Sequence, residues 1–454
     1  MAVSVMYHKV IKYLVNATCT EPLHIGSSLG DKEAVLVHPV DNVPFIQASG
    51  IAGVFRSYYE KQYGRDAADN LFGATNFQEN ENAAEHGSRV RFSDGTFGDV
   101  ILERRPRVKI NRATGTCDSG VIQGTSRMAG HRFTMEYIGA DASFTFAVYM
   151  YAEEQQEALE QVFSAFQQQA LQLGGQKSNG CGYIRIDSLY RREFDMTKPE
   201  DRKLWAEEEE LEPAQYEDIT DKICDREKQG SRYIFTVNGQ TEGALLVKSM
   251  VVMETGKNAP DAANIQNVRK DYIVPASSFK GAVRSQMEMI AEYLGCYGLI
   301  TEAYGSVSGK GENGKAGCMR FFDTVVGTRE GNDMAELSRR IHIDKFTGGV
   351  IQGGLFSEKN VSGEVCFRIE VEESRNRAGI CGLLLLALRD LAIGTMSIGG
   401  GYNVGKGILR ISSIKVSGPD RQQQAELDFV SGNIQDEAGI IPECLAAVNK
   451  TEDE

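Results

Sequence analysis

The side chains that could do chemistry here are chiefly cations, set beside unusually dense glycines. Arg104, Arg105, Arg107, Lys109 and Arg112 form one basic run, followed by Arg127, His131 and Arg132. Such a run attracts phosphate groups, and a solvated charged face is the plain alternative. Two glycine clusters, Leu173–Ile186 (LGGQKSNGCGYIRI) and Ile398–Ile411 (IGGGYNVGKGILRI), would let a backbone approach a phosphodiester closely or make a tight turn into a strand. Neither is a dinucleotide loop, because each follows a helical pattern and opens a strand, the reverse of what phosphate binding at a helix N-terminus requires. Gly309–Lys315 (GKGENGK) fits the first seven positions of a P-loop, but Ala316 replaces the hydroxyl that would ligate magnesium. Nine cysteines form no CxxC pair, and no dense cluster of His, Asp and Glu has metal-ligand spacing.

The elements that must position these residues occur twice. Phe45–Arg56 (FIQASGIAGVFR) returns as Ile273–Arg284 (IVPASSFKGAVR), with Ser49, Gly53 and Arg56 each 228 residues before Ser277, Gly281 and Arg284. Arg107–Gly115 returns as Arg340–Gly348, and the two glycine clusters align. Three matches in one order, in halves of domain size, imply two tandem copies of one domain rather than a solenoid.

Each copy alternates between strand and helix patterns. Lys9–Thr20 reads as a strand, Ser49 caps a helix that stops at Gly64, Phe133–Tyr151 is strand-like, Glu153–Leu171 is helical and Tyr183–Leu189 closes the copy. In the second copy Ser277 or Ser278 opens a helix ending at Gly295, followed by strand Glu364–Val371, helix Gly379–Met396 and strand Ile408–Val416. From Arg107 and again from Arg340 the chain forms a long hairpin, turning at Thr114-Gly115 and Thr347-Gly348. The order βαββαβ predicts an α+β protein of two tandem ferredoxin-like (RRM-like) domains, each with a hairpin insertion. Expected boundaries are 1–192 and 230–418, with an acidic linker or partly helical insertion at 193–229 and an acidic tail at 419–454.

The net charge of −14 resides in two segments: Glu193–Lys228 sums to −8 and Arg421–Glu454 to −6, so both copies are close to neutral. At 41% hydrophobic and 25% charged the composition suits a soluble globular protein. No apolar run is long enough to span a bilayer, and the chain is expected to be cytoplasmic, with reduced core thiols.

Leu23–Gly26 (LHIG), the P-x-S-S-x-K-G-x-x-R start at Pro275–Arg284 and the glycine-rich loop before the last strand together resemble the RAMP proteins of CRISPR systems. The resemblance is to the backbone subunit of type III effector complexes and covers both copies. It implies a subunit that holds CRISPR guide RNA, with thumb hairpins (about 107–133 and 340–367) wedged into the guide–target duplex. Its partners would be guide RNA, complementary target RNA, and other RAMP and small subunits, with no membrane.

Carried over by position, the resemblance makes His24, Ser49, Gly53 and Arg56, with Ser277, Ser278, Lys280, Gly281 and Arg284, guide contacts. Arg107, Lys109, Arg112 and Lys345 would act from the thumbs, and Gly175, Lys177, Gly400, Asn403 and Lys406 from the glycine loops. It also implies an aspartate, in the loop after the first strand, that cleaves target RNA. The nearest carboxylates are Asp31 and Asp261, each a candidate catalytic group and ligand for a divalent ion, Mg2+ or Mn2+. The ordinary reading of both is a solvated turn residue. Three functions therefore stand: a guide-binding subunit that cuts target RNA, the same scaffold without catalysis, and an unrelated RNA-binding or metabolic protein of duplicated ferredoxin-like domains.

Overall fold

The computed structural model describes residues 7–26, 33–74, 87–108, 110, 119–121, 128–130, 132–151, 153–207, 215–224, 232–249, 259–306, 314–327, 335–420 and 423–448. The chain divides into two compact units: residues 1–103, 136–177 and 181–228 form one, and residues 104–135, 178–180 and 229–454 the other.

The first unit is built on β1 (Lys9–Cys19), α1 (Ala48–Tyr63), β2 (Val90–Phe92), β3 (Ser143–Met150), α2 (Gln156–Gln167) and β4 (Ile184–Asp195). β1 pairs antiparallel with both β4 and β3, and β2 pairs with β3. The resulting order, β4-β1-β3-β2, is the ferredoxin-like sheet. Ile51, Phe55 and Tyr59 recur every fourth residue on α1, so one face is buried against the sheet and α2, where Phe55 meets Phe163 edge-on. The helix ends at Gly64, whose φ of 86° suits a residue without Cβ.

The second unit repeats the plan with β5 (Tyr233–Thr241), α3 (Ala276–Leu294), β6 (Met319–Phe321), β7 (Glu364–Val371), α4 (Arg377–Ala392) and β8 (Leu409–Ser417), in sheet order β8-β5-β7-β6. The duplication extends to irregularities. The register of β1 against β4 shifts between Asn16 and Ala17, and that of β5 against β8 between Asn238 and Gly239. In each case the asparagine amide donates to a serine across the bulge, Ser188 or Ser413. Beyond β8, a further antiparallel strand, Gln424–Asp428, widens this sheet.

Each copy also carries a hairpin. Leu102–Val108 pairs with Arg132–Ile138, and Ala335–Ile343 pairs with Val350–Val361. The second turns where the sequence predicts, because Asp344 Oδ1 accepts the Phe346 and Thr347 amides and Gly348 takes a φ of 67°. The expected turn at Thr114-Gly115 lies outside the described residues, as does Gly309–Asn313 of the P-loop-like segment.

Three expectations take a more specific form. The run Phe133–Tyr151 is two strands, broken where Asp141 adopts a φ of 67°. Of the two readings of the acidic segment after residue 193, the structure has the partly helical insertion, with helices Pro199–Glu207 and Thr220–Cys224: β4 runs on to Asp195, Trp205 packs edge-on against Phe194 and Tyr149, and Ile219 and Ile223 join the first core. The acidic tail likewise folds into the second unit, since helix Ile440–Ala447 buries Ile440, Ile441 and Cys444. In both segments a minority of apolar residues decides the position. Among the described residues the cysteines are unbridged, and no helix is long and apolar enough to cross a membrane.

Candidate nucleic-acid interface

The helix starts at Phe45–Arg56 and Ile273–Arg284 are the best-formed candidate site. Both helices begin one residue before Ser49 and Ser277, two earlier than those serines would suggest as caps, and the caps come from elsewhere: Asp94 Oδ1 accepts the Ala48 amide at 2.7 Å, and Asp323 Oδ1 accepts the Ala276 amide at 2.8 Å. Ser49 and Ser277 are therefore first-turn residues, not caps. The matching Phe-x-Asp signals, Phe92-Ser93-Asp94 and Phe321-Phe322-Asp323, could have revealed this pairing. A carboxylate so placed complements the helix dipole and occupies the first free amide.

Beyond that cap the face of α1 is open. Ser49 and Gly53 are exposed, and a shallow cavity of about 300 Å³ runs along them past Arg56, Ser88 and Phe92. A second, of about 450 Å³, meets it at Ala48 and Ser49 and reaches His38, Phe45 and Asp94. A Cβ added at Gly53 or Gly281 would meet nothing within 4 Å. A helical glycine costs about 1 kcal/mol relative to alanine. Among the described residues no contact requires glycine at either position.

The glycine loops show the opposite. At Gly174 and Gly399 an added Cβ would lie 2.3 and 2.6 Å from the carbonyl oxygens of His24 and Leu246. The amides of Gly175 and Gly400 donate to those same carbonyls, both at 2.8 Å. These glycines are required by internal backbone contacts, so the amides of Gly175 and Gly400 are committed internally. Lys177 and Asn403 in the same loops are exposed.

The cations divide similarly. Lys345 is exposed on the second hairpin turn and Arg107 is half-buried on the first hairpin, while Lys109 and Arg112 lie outside the described residues. Arg105 is 7% exposed and binds Asp323 at 2.6 Å. Arg56 donates to Gly73 O at 2.6 Å and pairs with Asp69, and Arg284 donates to Glu288 at 2.7 Å. Lys280, behind Ser277 and the half-buried Ser278, donates to Ser178 Oγ at 2.7 Å within the second unit. Burial first, and then the Arg284, Arg107 and Arg320 guanidiniums, push its ammonium down to about 8. Lys406 departs furthest from the surface role expected of it, because it is 7% exposed and its ammonium donates to Glu358 at 2.7 Å and Asn360 at 2.6 Å. His24 is also buried, its Nδ1 2.8 Å from Glu136 O.

The sequence profile of the RAMP superfamily matches residues 16–185 and 230–410, one match per copy of the ferredoxin-like fold. The chain belongs to the RAMP superfamily. No curated protein matches it. Among solved structures it is similar to a chain in the cryo-EM structure of the type III-B Cmr-beta bound to cognate target RNA. The two are 19% identical, the likeness covers 40% of this chain and 61% of that one, and the TM-score is 0.29.

In this RAMP protein the two candidate catalytic aspartates differ in what is seen of them. Asp31 lies outside the described residues. Asp261 is exposed, and its Oδ2 accepts the Ser357 amide at 2.7 Å and the Ser357 hydroxyl at 3.2 Å, while its own amide donates to Ser357 O at 2.9 Å. Among the described residues no three His, Cys, Asp or Glu side chains gather as a metal site. A divalent ion at Asp261 would thus be held by one carboxylate, with water and phosphate oxygens completing its shell.

Proposed function

We propose that the protein is a guide-RNA-binding backbone subunit of a cytoplasmic type III CRISPR effector complex, with two backbone domains fused in one chain. The observation that carries this reading is the RAMP match over both copies. The open face around Ser49 and Gly53 supports it, because an exposed hydroxyl and a Cβ-free helix turn suit a phosphodiester better than base edges; the matching Ser277 and Gly281 are half-buried. The hairpins at 102–138 and 335–361 would be the thumbs that hold the guide–target duplex. Asp31 and Asp261 would each serve one cut in target RNA, and Mg2+ or Mn2+ would supply charge stabilisation at the phosphate. The same scaffold without cleavage is the second reading, in which the Asp261 carboxylate serves only as the hydrogen-bond partner of Ser357.

RNA that co-purifies with the assembled complex tests the assignment: one defined small RNA with a repeat-derived handle is expected, and RNA-free complexes would sink it. Guide binding should be independent of guide sequence and fall steeply with salt. Arg56→Ala with Arg284→Ala should weaken unrelated guides equally and lower the log–log salt slope by about 2. A loss confined to guides with particular bases would contradict phosphate recognition.

Lys280 adds a pH dependence. Its ammonium loses its proton near pH 8 in the free protein, so a phosphate bound beside it requires proton uptake above that pH. Affinity should be flat below pH 7 and fall by up to about tenfold per pH unit above 8. In Lys280→Arg, whose guanidinium stays charged, the fall should disappear; equal slopes for the two proteins in a filter-binding titration would remove Lys280 from the interface.

A further inference from the structure

The candidate catalytic carboxylate of the second unit is held by a strand that is itself clamped by a buried ion pair. Val350–Val361 pairs parallel with Ala262–Ala263, placing Ala262 opposite Glu358. Ser357, one residue earlier, grips Asp261 through its amide and hydroxyl. Adjacent strand residues point to opposite faces, so Ser357 and Glu358 turn away from each other. Glu358 is 4% exposed, and its carboxylate accepts Lys406 at 2.7 Å, pairs with Arg340 of the facing hairpin strand, and lies 3.5 Å from the Lys248 ammonium. Lys406 comes from the glycine loop before β8 and also binds Asn360.

We propose that the Glu358–Lys406 pair is a positioning device for Asp261, fixing the height and rotation of the strand from which Ser357 holds that carboxylate. The inference rests on the reading of Asp261 as a cleaving group. Three features support it. The pair joins the hairpin strand to a loop that the close approach of Gly399 to Leu246 O already fixes. Arg340 and Lys406 meet on one oxygen of Glu358, so the same carboxylate ties the strand both to its hairpin partner and to the glycine loop. Desolvation works against the Glu358 carboxylate, yet the Lys406 and Arg340 contacts hold it below the usual carboxylate range, so the charge persists at neutral pH. A buried, hydrogen-bonded pair of this kind specifies geometry more than it adds stability.

The test is a target-RNA cleavage ladder from the assembled complex. Lys406→Met should slow the Asp261-dependent cut at least tenfold, while guide binding, target binding and the cut assigned to Asp31 keep their parental values. Lys406→Arg, which restores the cation, should recover most of the rate. Ser357→Ala, which removes only the hydroxyl contact and leaves the fold intact, should slow the same cut about threefold. An Asp261-dependent cut of parental rate in Lys406→Met overturns the proposal, as does a uniform loss of both cuts with guide binding. If Lys406→Met does not fold, a parental rate in Ser357→Ala overturns it. A cut that survives Asp261→Ala defeats the underlying catalytic reading instead, which the other variants do not touch.

Discussion

Asp261→Ala is expected to erase one cut from the target-RNA ladder while leaving guide and target binding at their parental values. RNA can be cleaved by its own 2′-hydroxyl once the backbone is aligned for in-line displacement, and a carboxylate assists by holding a cation or by moving the hydroxyl proton. Such a group stabilises the transition state more than the bound ground state, so its removal acts on rate. The Asp261 carboxylate is exposed and fixed by two hydrogen bonds to Ser357. Asp31→Ala should erase a different, neighbouring cut, since the second copy repeats the first. Both cuts should vanish in chelator, because an aspartate without a histidine partner is a weak catalyst at neutral pH. A ladder unchanged by Asp31→Ala would move attention to Glu33 or another subunit. One unchanged by the double variant would leave a scaffold.

The largest stability effects should come from the last glycine of each glycine loop. Gly182 and Gly407 have φ values of 89° and 77°, and a Cβ on either would sit 2.0 Å from a carbonyl oxygen, that of Leu173 or Ile398. Those same carbonyl-bearing residues donate their amides back to Gly182 and Gly407 at 2.8 and 2.9 Å, so the turn cannot open without breaking a backbone hydrogen bond. Left-handed strain and the clash add, and Gly182→Ala or Gly407→Ala should each cost about 3 kcal/mol or more, in the upper tail of point mutations. For a unit of this size that lowers Tm by roughly 6–12 °C. Gly400→Ala is the control: its φ is not positive and its nearest neighbour would be 3.7 Å away, so it should stay within about 1 kcal/mol. Calorimetry on the three variants decides the matter, and a Gly407→Ala protein as stable as its parent would refute the clash.

Much of the architecture is legible in the chain because it is periodic and stated twice. Apolar residues at every fourth position of α1, the β-branched run of β1 and the stops at Gly64 and Gly295 are local signals, and local sterics act on them wherever the segment lies. The match of Ser49, Gly53 and Arg56 to Ser277, Gly281 and Arg284 announces the duplication without any coordinate, and the RAMP resemblance rests on those same residues.

Long-range placement is not legible, because it depends on which groups meet across hundreds of residues. The sequence by itself determined two ferredoxin-like copies and the family to which they belong. Only the tertiary structure decided that Asp94 and Asp323 cap those helices, that His24 and Lys406 are buried, and that Gly175 and Gly400 spend their amides on a neighbouring loop. A lysine in a glycine-rich loop looks the same in sequence whether it faces solvent or a buried carboxylate. Lys406 is inside because Glu358 and Asn360, 48 and 46 residues earlier, supply the acceptors that make its burial tolerable.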